Sequence, residues 1–179
     1  DGQPKSLESQ QLKWVTPTEA LVLPDLLPAT YPPLRWLQLP DRYLISGVGD
    51  AAKWPLYLAR LETALQSGLR LIQWREPAWQ AHGDTQMLKI AFESVLQRCR
   101  AHGAKLLVNS IHPQDWWLVA DGVHLRTQDA HALGVRPEML KNKLLAVSTH
   151  NAAELELARA LKADFAVLGP VLPTKSHPG

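Results

Sequence analysis

From Tyr43 onward, short apolar runs alternate with longer helical patterns, and this alternation limits the fold more than any other feature of the chain. The runs are "YLISGV", "LRLIQWRE", "AKLLVNS", "DGVHLR", "LLAVSTH" and "DFAVLGP". Between them, "WPLYLARLETALQSG", "TQMLKIAFESVLQRCRAHG", "PQDWWLVA", "AHALGVRPEMLKN" and "NAAELELARALKA" predict helices. Gly68 and Gly103 are placed to end helices, and Asn151 with Glu154 three residues on is placed to begin one. Buried strands separated by amphipathic helices predict a parallel sheet covered by helices. Six strands fit either an open doubly wound sheet or most of a (β/α)8 barrel. No G-x-G-x-x-G follows the first strand, so the barrel is favoured.

In a barrel all strands point the same way, and ligands bind where their C-terminal ends gather. Those ends carry Gln73, Arg75, Glu76, Asn109, Ser110, His124, Ser148 and His150, with Asp129 in the loop after the fourth run and Thr174, Lys175, Ser176 and His177 after the sixth. Period-two alternation in "LIQWRE" turns Gln73 and Arg75 to the barrel mouth and Trp74 outward beneath helices. An arginine among neutral donors suits a phosphorylated or anionic ligand. Asp129 is the best-placed ligand for Mg²⁺. Plainer roles stand beside these. Arg75 and Glu76 can be a simple ion pair, His124 a hydrogen-bonded core residue, and His150 a residue that orients its loop. Trp116 and Trp117 fall on a helix and are expected in the core.

A net charge of +2 with scattered lysines and arginines excludes a general nucleic-acid surface. No stretch reaches the ~18 apolar residues of a membrane span. Cys99 is the only cysteine, so no internal disulfide can form, and a reducing cytoplasm is expected.

The first forty residues follow another grammar. Leu12 to Val15 can be a strand, Thr16-Pro17-Thr18-Glu19 is a helix start with a capping box, and Pro24, Pro28, Pro32 and Pro33 allow only short helical pieces. The segment is too small to bury a core of its own.

Residues 43–179 resemble the thiamine phosphate synthase and thiazole tautomerase family of (β/α)8 barrels. "LIQWRE", Asn109, "ADGVHL", Asp129, "VSTH" and "ADFAVLGPVLPT" carry the resemblance, in the family's order. It implies that Gln73, Arg75, Asn109, Ser148 and Thr174 hold a phosphorylated pyrimidine or thiazole, with Mg²⁺ on Asp129. The chain departs from the synthase pattern at Pro77 and His177, where lysines are implied, and at Ser110, where a second magnesium carboxylate is implied. Pro170 stands where the tautomerases carry a histidine.

Residues 1–40 resemble the C-terminal tail of a mutator-type Nudix hydrolase of the 8-oxo-dGTP diphosphatase kind, through "KWVTPTEAL" and "DLLPATYPPLRWL". Thr30 stands in place of that family's base-reading Asn, and the metal-binding Nudix box is absent. The resemblances together imply an α/β protein with a Nudix remnant over 1–40 and a barrel over 41–179 cut after strand six, a piece of a longer fusion. Three functions remain open: an active synthase, a phosphate-binding barrel without turnover, and a barrel that only supports an upstream Nudix domain.

Overall fold

A computed structural model describes residues 5, 6, 8, 9 and 11–170; Thr174, Lys175, Ser176 and His177 lie outside them. The chain divides into two compact units, Asp1–Asp41 and Arg42–Gly179.

In the first unit, Thr16 begins helix α1 (Pro17–Ala20) with a complete capping box. The Thr16 hydroxyl accepts from Glu19 N at 3.2 Å, and Glu19 Oε2 accepts from Thr16 N at 2.7 Å. The prolines then permit one 3-10 turn (Pro28–Thr30) and helix α2 (Tyr31–Leu37). Leu12–Val15 forms no strand, contrary to expectation, because it has no ladder partner among the described residues.

The second unit runs β1 (Leu44–Ile45), α3 (Trp54–Gln66), β2 (Leu71–Trp74), α4 (Pro77–Ala81), α5 (Thr85–Ala101), β3 (Lys105–Asn109) and α6 (Gln114–Val119). It continues with β4 (Gly122–Leu125), α7 (Thr127–Leu133), β5 (Leu144–Thr149), α8 (Ala152–Ala160) and β6 (Phe165–Leu168). Among the described residues, the six strands pair in parallel in sequence order. This is the order of a curling barrel wall, whereas a doubly wound sheet reverses its order at a switch point. β1 and β6 are its edges.

Two helices differ from the sequence reading. α4 was not anticipated; Pro77, with its fixed φ and missing N–H, suits the first position of a helix. The helix expected over "AHALGVRPEMLKN" instead begins at Thr127 and stops at Leu133. Gly134 has φ +63, which turns the backbone out of the helix, and only a 3-10 turn at Glu138–Leu140 follows. Asp129 consequently sits in the first turn of α7 rather than in a loop.

Side-chain alternation divides the sheet into two faces. Outward, Ile72, Trp74, Leu106, Val108, Val123, Leu125, Leu145 and Val147 join Leu61, Leu65, Phe92, Val95, Trp116 and Trp117 from the helices in one core. Inward, Leu71, Leu107 and Ala146 form a smaller cluster with Tyr43, Leu144 and Phe165. Gly122 is required within this layer: a Cβ there would lie 2.3 Å from Leu144 O and 2.8 Å from Leu144 Cβ. Two aspartates tie the same end of the sheet. Asp121 Oδ2 accepts from Leu106 N at 2.9 Å, and Asp164 Oδ2 accepts from Leu145 N at 2.8 Å. "ADGVHL" and "ADFAVL" thus repeat one device, an aspartate entering a strand and holding its neighbour.

Candidate functional site

Two residues further along the inward face, the same strands change from apolar to polar. Gln73 of β2, Asn109 of β3, His124 of β4 and Ser148 of β5 replace the apolar layer and hydrogen-bond across the strands. Each donor direction follows from a backbone group. Ile111 N donates to Asn109 Oδ1 at 3.1 Å, which turns the Asn109 amide nitrogen toward Gln73 Oε1 at 2.6 Å. The Gln73 nitrogen then faces His124 Nδ1 at 3.0 Å and can only donate to it. His124 therefore carries its proton on Nε2 and donates it to Ser148 Oγ at 2.8 Å. The Ser148 O–H has no acceptor among the described residues and can donate toward a ligand.

Burial and the nearby Arg75 charge lower the His124 pKa to about 4, so the ring is neutral at neutral pH. The Tyr43 hydroxyl also points at Nδ1, at 2.9 Å, and burial raises its pKa, keeping it protonated. His124 cannot activate Ser148 as a nucleophile, because the nitrogen facing the hydroxyl is already protonated. The histidine is a hydrogen-bonded interior residue, the plainer of its two readings.

Above this layer lies an open pocket of about 690 Å³, lined by Gln73, Arg75, Asn109, His124, Arg126, Thr127, Ser148 and His150, among others. The structure thus brings Gln73, Arg75, Asn109 and Ser148 to one mouth, while Thr174 falls outside the described residues. Arg75 is exposed and its guanidinium has no hydrogen bond or ion pair among the described residues.

Glu76 is not the partner of Arg75. Its buried carboxylate accepts from Ser46 Oγ (2.5 Å), Val48 N (3.1 Å) and Gly49 N (3.0 Å), pinning the loop after β1. His150 orients its own loop: its N and Nδ1 lie 2.7 and 2.9 Å from Glu154 Oε2, beside the Asn151 cap of α8.

Asp129 does not lie just outside the pocket rim as a free carboxylate. Arg126 Nε donates to its Oδ2 at 2.6 Å and Arg126 Nη2 to its Oδ1 at 3.0 Å, while Ser110 Oγ donates to Oδ2 at 2.5 Å. Burial raises the Asp129 pKa, but the bonds from Arg126 and Ser110 outweigh it and hold the carboxyl below the usual range. This donor set does not fit Mg²⁺, which takes near-octahedral oxygen ligands. Both carboxylate oxygens face a guanidinium, and no group of three or more His, Cys, Asp or Glu among the described residues could hold a metal. Sequence reasoning missed Arg126, although its i, i+3 spacing to Asp129 is the signal that could have found it.

Sequential parallel βα units with a polar pocket at the C-terminal strand ends define a barrel-type α/β domain. A family profile described as thiamine monophosphate synthase matches residues 43–179, and the chain belongs to that family. Thiamine-phosphate synthase of Anoxybacillus flavithermus is 37% identical over 134 residues, covering 75% of this chain and 60% of that protein. The synthase of Thermosynechococcus vestitus is 34% identical over 147 residues, covering 82% of this chain and 39% of that protein. The chain therefore spans less than two thirds of these relatives. In fold, it is similar to thiamine phosphate pyrophosphorylase from Pyrococcus furiosus, with a TM-score of 0.57 at 23% identity, covering 75% of this chain and 62% of that one.

Proposed function

We propose that residues 41–179 bind a phosphorylated pyrimidine or thiazole at the mouth formed by Gln73, Arg75, Asn109 and Ser148, with Thr174, which follows β6 in sequence, as a further contact. The observation that carries this reading is the oriented polar layer ending at the Ser148 hydroxyl, in one pocket with an Arg75 guanidinium that is unpaired among the described residues. Neutral donors orient the heterocycle and the guanidinium takes the phosphate, which it can grip with two parallel N–H bonds.

Synthase turnover is weak or absent in this reading. Pro77 opens α4 where a cation is implied, and His177 stands where a second is implied. Ser110 offers a hydroxyl in place of a metal carboxylate. Departure of pyrophosphate develops negative charge, and these replacements remove groups that would stabilise it.

Titration calorimetry with a pyrimidine phosphate and a thiazole phosphate tests the reading. Arg75→Ala should weaken binding by about ten- to a hundred-fold, the worth of a charge-assisted bond. Absence of binding by the unmutated chain would sink the site.

For residues 1–40 the proposal remains a Nudix tail whose apolar side chains pack on an upstream domain in the longer protein. The exposure of Trp14 (83%), Val22 (80%) and Leu27 (71%) supports it. Limited proteolysis should cut between Gln38 and Arg42 and release the barrel intact; full protection there would count against the fusion.

A further inference from the structure

We propose that Arg126, held by Asp129, serves as the second cation of the pocket, so that the phosphorylated ligand binds between two guanidinium groups with no divalent metal bridging it. The proposal rests on the phosphate-binding reading above and concerns how the charge is met.

The geometry of Arg126 is built rather than incidental. Its backbone N donates to Ser110 Oγ at 2.9 Å, and that hydroxyl donates to Asp129 Oδ2 at 2.5 Å. The carboxylate in turn grips the guanidinium through Nε and Nη2. Turned to satisfy both its ends, the Gln128 carboxamide accepts from Nη2 at 3.1 Å and Nη1 at 3.3 Å. Main chain, hydroxyl, carboxylate and amide thus fix one side chain that is still 40% exposed and lines the pocket containing Arg75.

Geometry decides between a metal and this arginine. A divalent cation on Asp129 would have to displace the guanidinium that already holds both carboxylate oxygens. Ser110, on the other flank of Asp129, supplies no second carboxylate for a cation. One guanidinium needs only the one carboxylate present. With Nε and Nη2 taken by Asp129 and Gln128, it still offers an Nη1 N–H and its full charge to a phosphate oxygen. Asp129 is then a positioning residue for Arg126 rather than a metal ligand.

The test is calorimetry of the whole chain with inorganic pyrophosphate, in EDTA and again with Mg²⁺, affinities being referred to free pyrophosphate. Binding is expected in EDTA, with Arg126→Ala weakening it by about ten- to a hundred-fold. Asp129→Asn keeps the side-chain shape but loosens the grip on Arg126, and should weaken binding in EDTA and in Mg²⁺ alike, by less than Arg126→Ala does. Circular dichroism confirms the fold of each variant, and Asp129→Asn decides the matter if Arg126→Ala does not fold. Binding that appears only with Mg²⁺ overturns the proposal while sparing the phosphate-binding reading. Asp129→Asn losing affinity only in Mg²⁺ overturns it equally. No binding under either condition rejects the phosphate-binding reading, and this proposal with it.

Discussion

The two layers inside the barrel wall come from the same strands, two residues apart, and they do opposite work. In the lower layer Leu71, Leu107, Leu144, Ala146 and Phe165 meet around Gly122, with Asp121 and Asp164 binding strand N–H groups. In the upper layer Gln73, Asn109, His124 and Ser148 satisfy one another in sequence and leave a hydroxyl facing the pocket. The comparison teaches where the sheet can tolerate polarity. A buried polar atom left without a partner is costly; the lower layer reserves its polar groups for the backbone, and the upper layer can be polar because its members are paired across strands.

Acid should separate the layers most strongly. Burial lowers the pKa of His124 and of His112, behind the sheet, to about 4. An unfolded histidine titrates near 6.5, so between pH 6.5 and 4 the unfolded chain binds more protons and stability falls with pH. At pH 5 the loss is on the order of 2 kcal/mol for each histidine. Thermal melts at pH 7 and pH 5 should show it, and His124→Gln should remove about half. A melting temperature indifferent to pH across this window would contradict the neutral, tautomer-fixed ring.

Gly122→Ala should be next, costing about 3 kcal/mol, because its Cβ meets a backbone carbonyl that cannot move without displacing β5. Chemical denaturation measures this. The molecules still folded should bind ligand normally; a selective loss of binding would mean that the layers are not separable. Ser148→Ala should have the smallest effect, weakening ligand binding by about 1 kcal/mol and stability by about as much, because His124 Nε2 loses its acceptor. A large stability loss instead would assign Ser148 to the framework.

Sequence patterns specified the framework well. Period-two alternation sent Trp74 outward and Gln73 inward, and Thr16, Asn151, Gly68 and Gly103 mark helix ends as their chemistry demands. The site was legible as a set of strand-end residues, but its wiring was not. Which amide meets which ring depends on the stagger between strands: Gln73 lies level with Leu107, yet its side chain reaches Asn109 and His124. Sequence places Glu76 beside its chain neighbour Arg75, whereas its partners are the Ser46 hydroxyl and the backbone N–H groups of Val48 and Gly49. Several motif residues that carry the family resemblance, Glu76, Asp121, Gly122 and Asp164, prove to hold the framework rather than the pocket.

The direction of the inner hydrogen bonds has one more consequence. From Ile111 N to Ser148 Oγ, each acceptor is fixed by the donor before it, so the chain stores a single sign, set at one end by a backbone amide and read at the other by whatever occupies the pocket. Exchanging the Asn109 amide nitrogen for oxygen, as in Asn109→Asp, would leave the bond from Ile111 N in place and reverse every link beyond it. Gln73 would rotate, the histidine proton would move to Nδ1, and the serine would present a lone pair where it now presents a hydrogen. A change of one atom on β3 would thereby invert what the pocket accepts on β5, with no displacement of either strand.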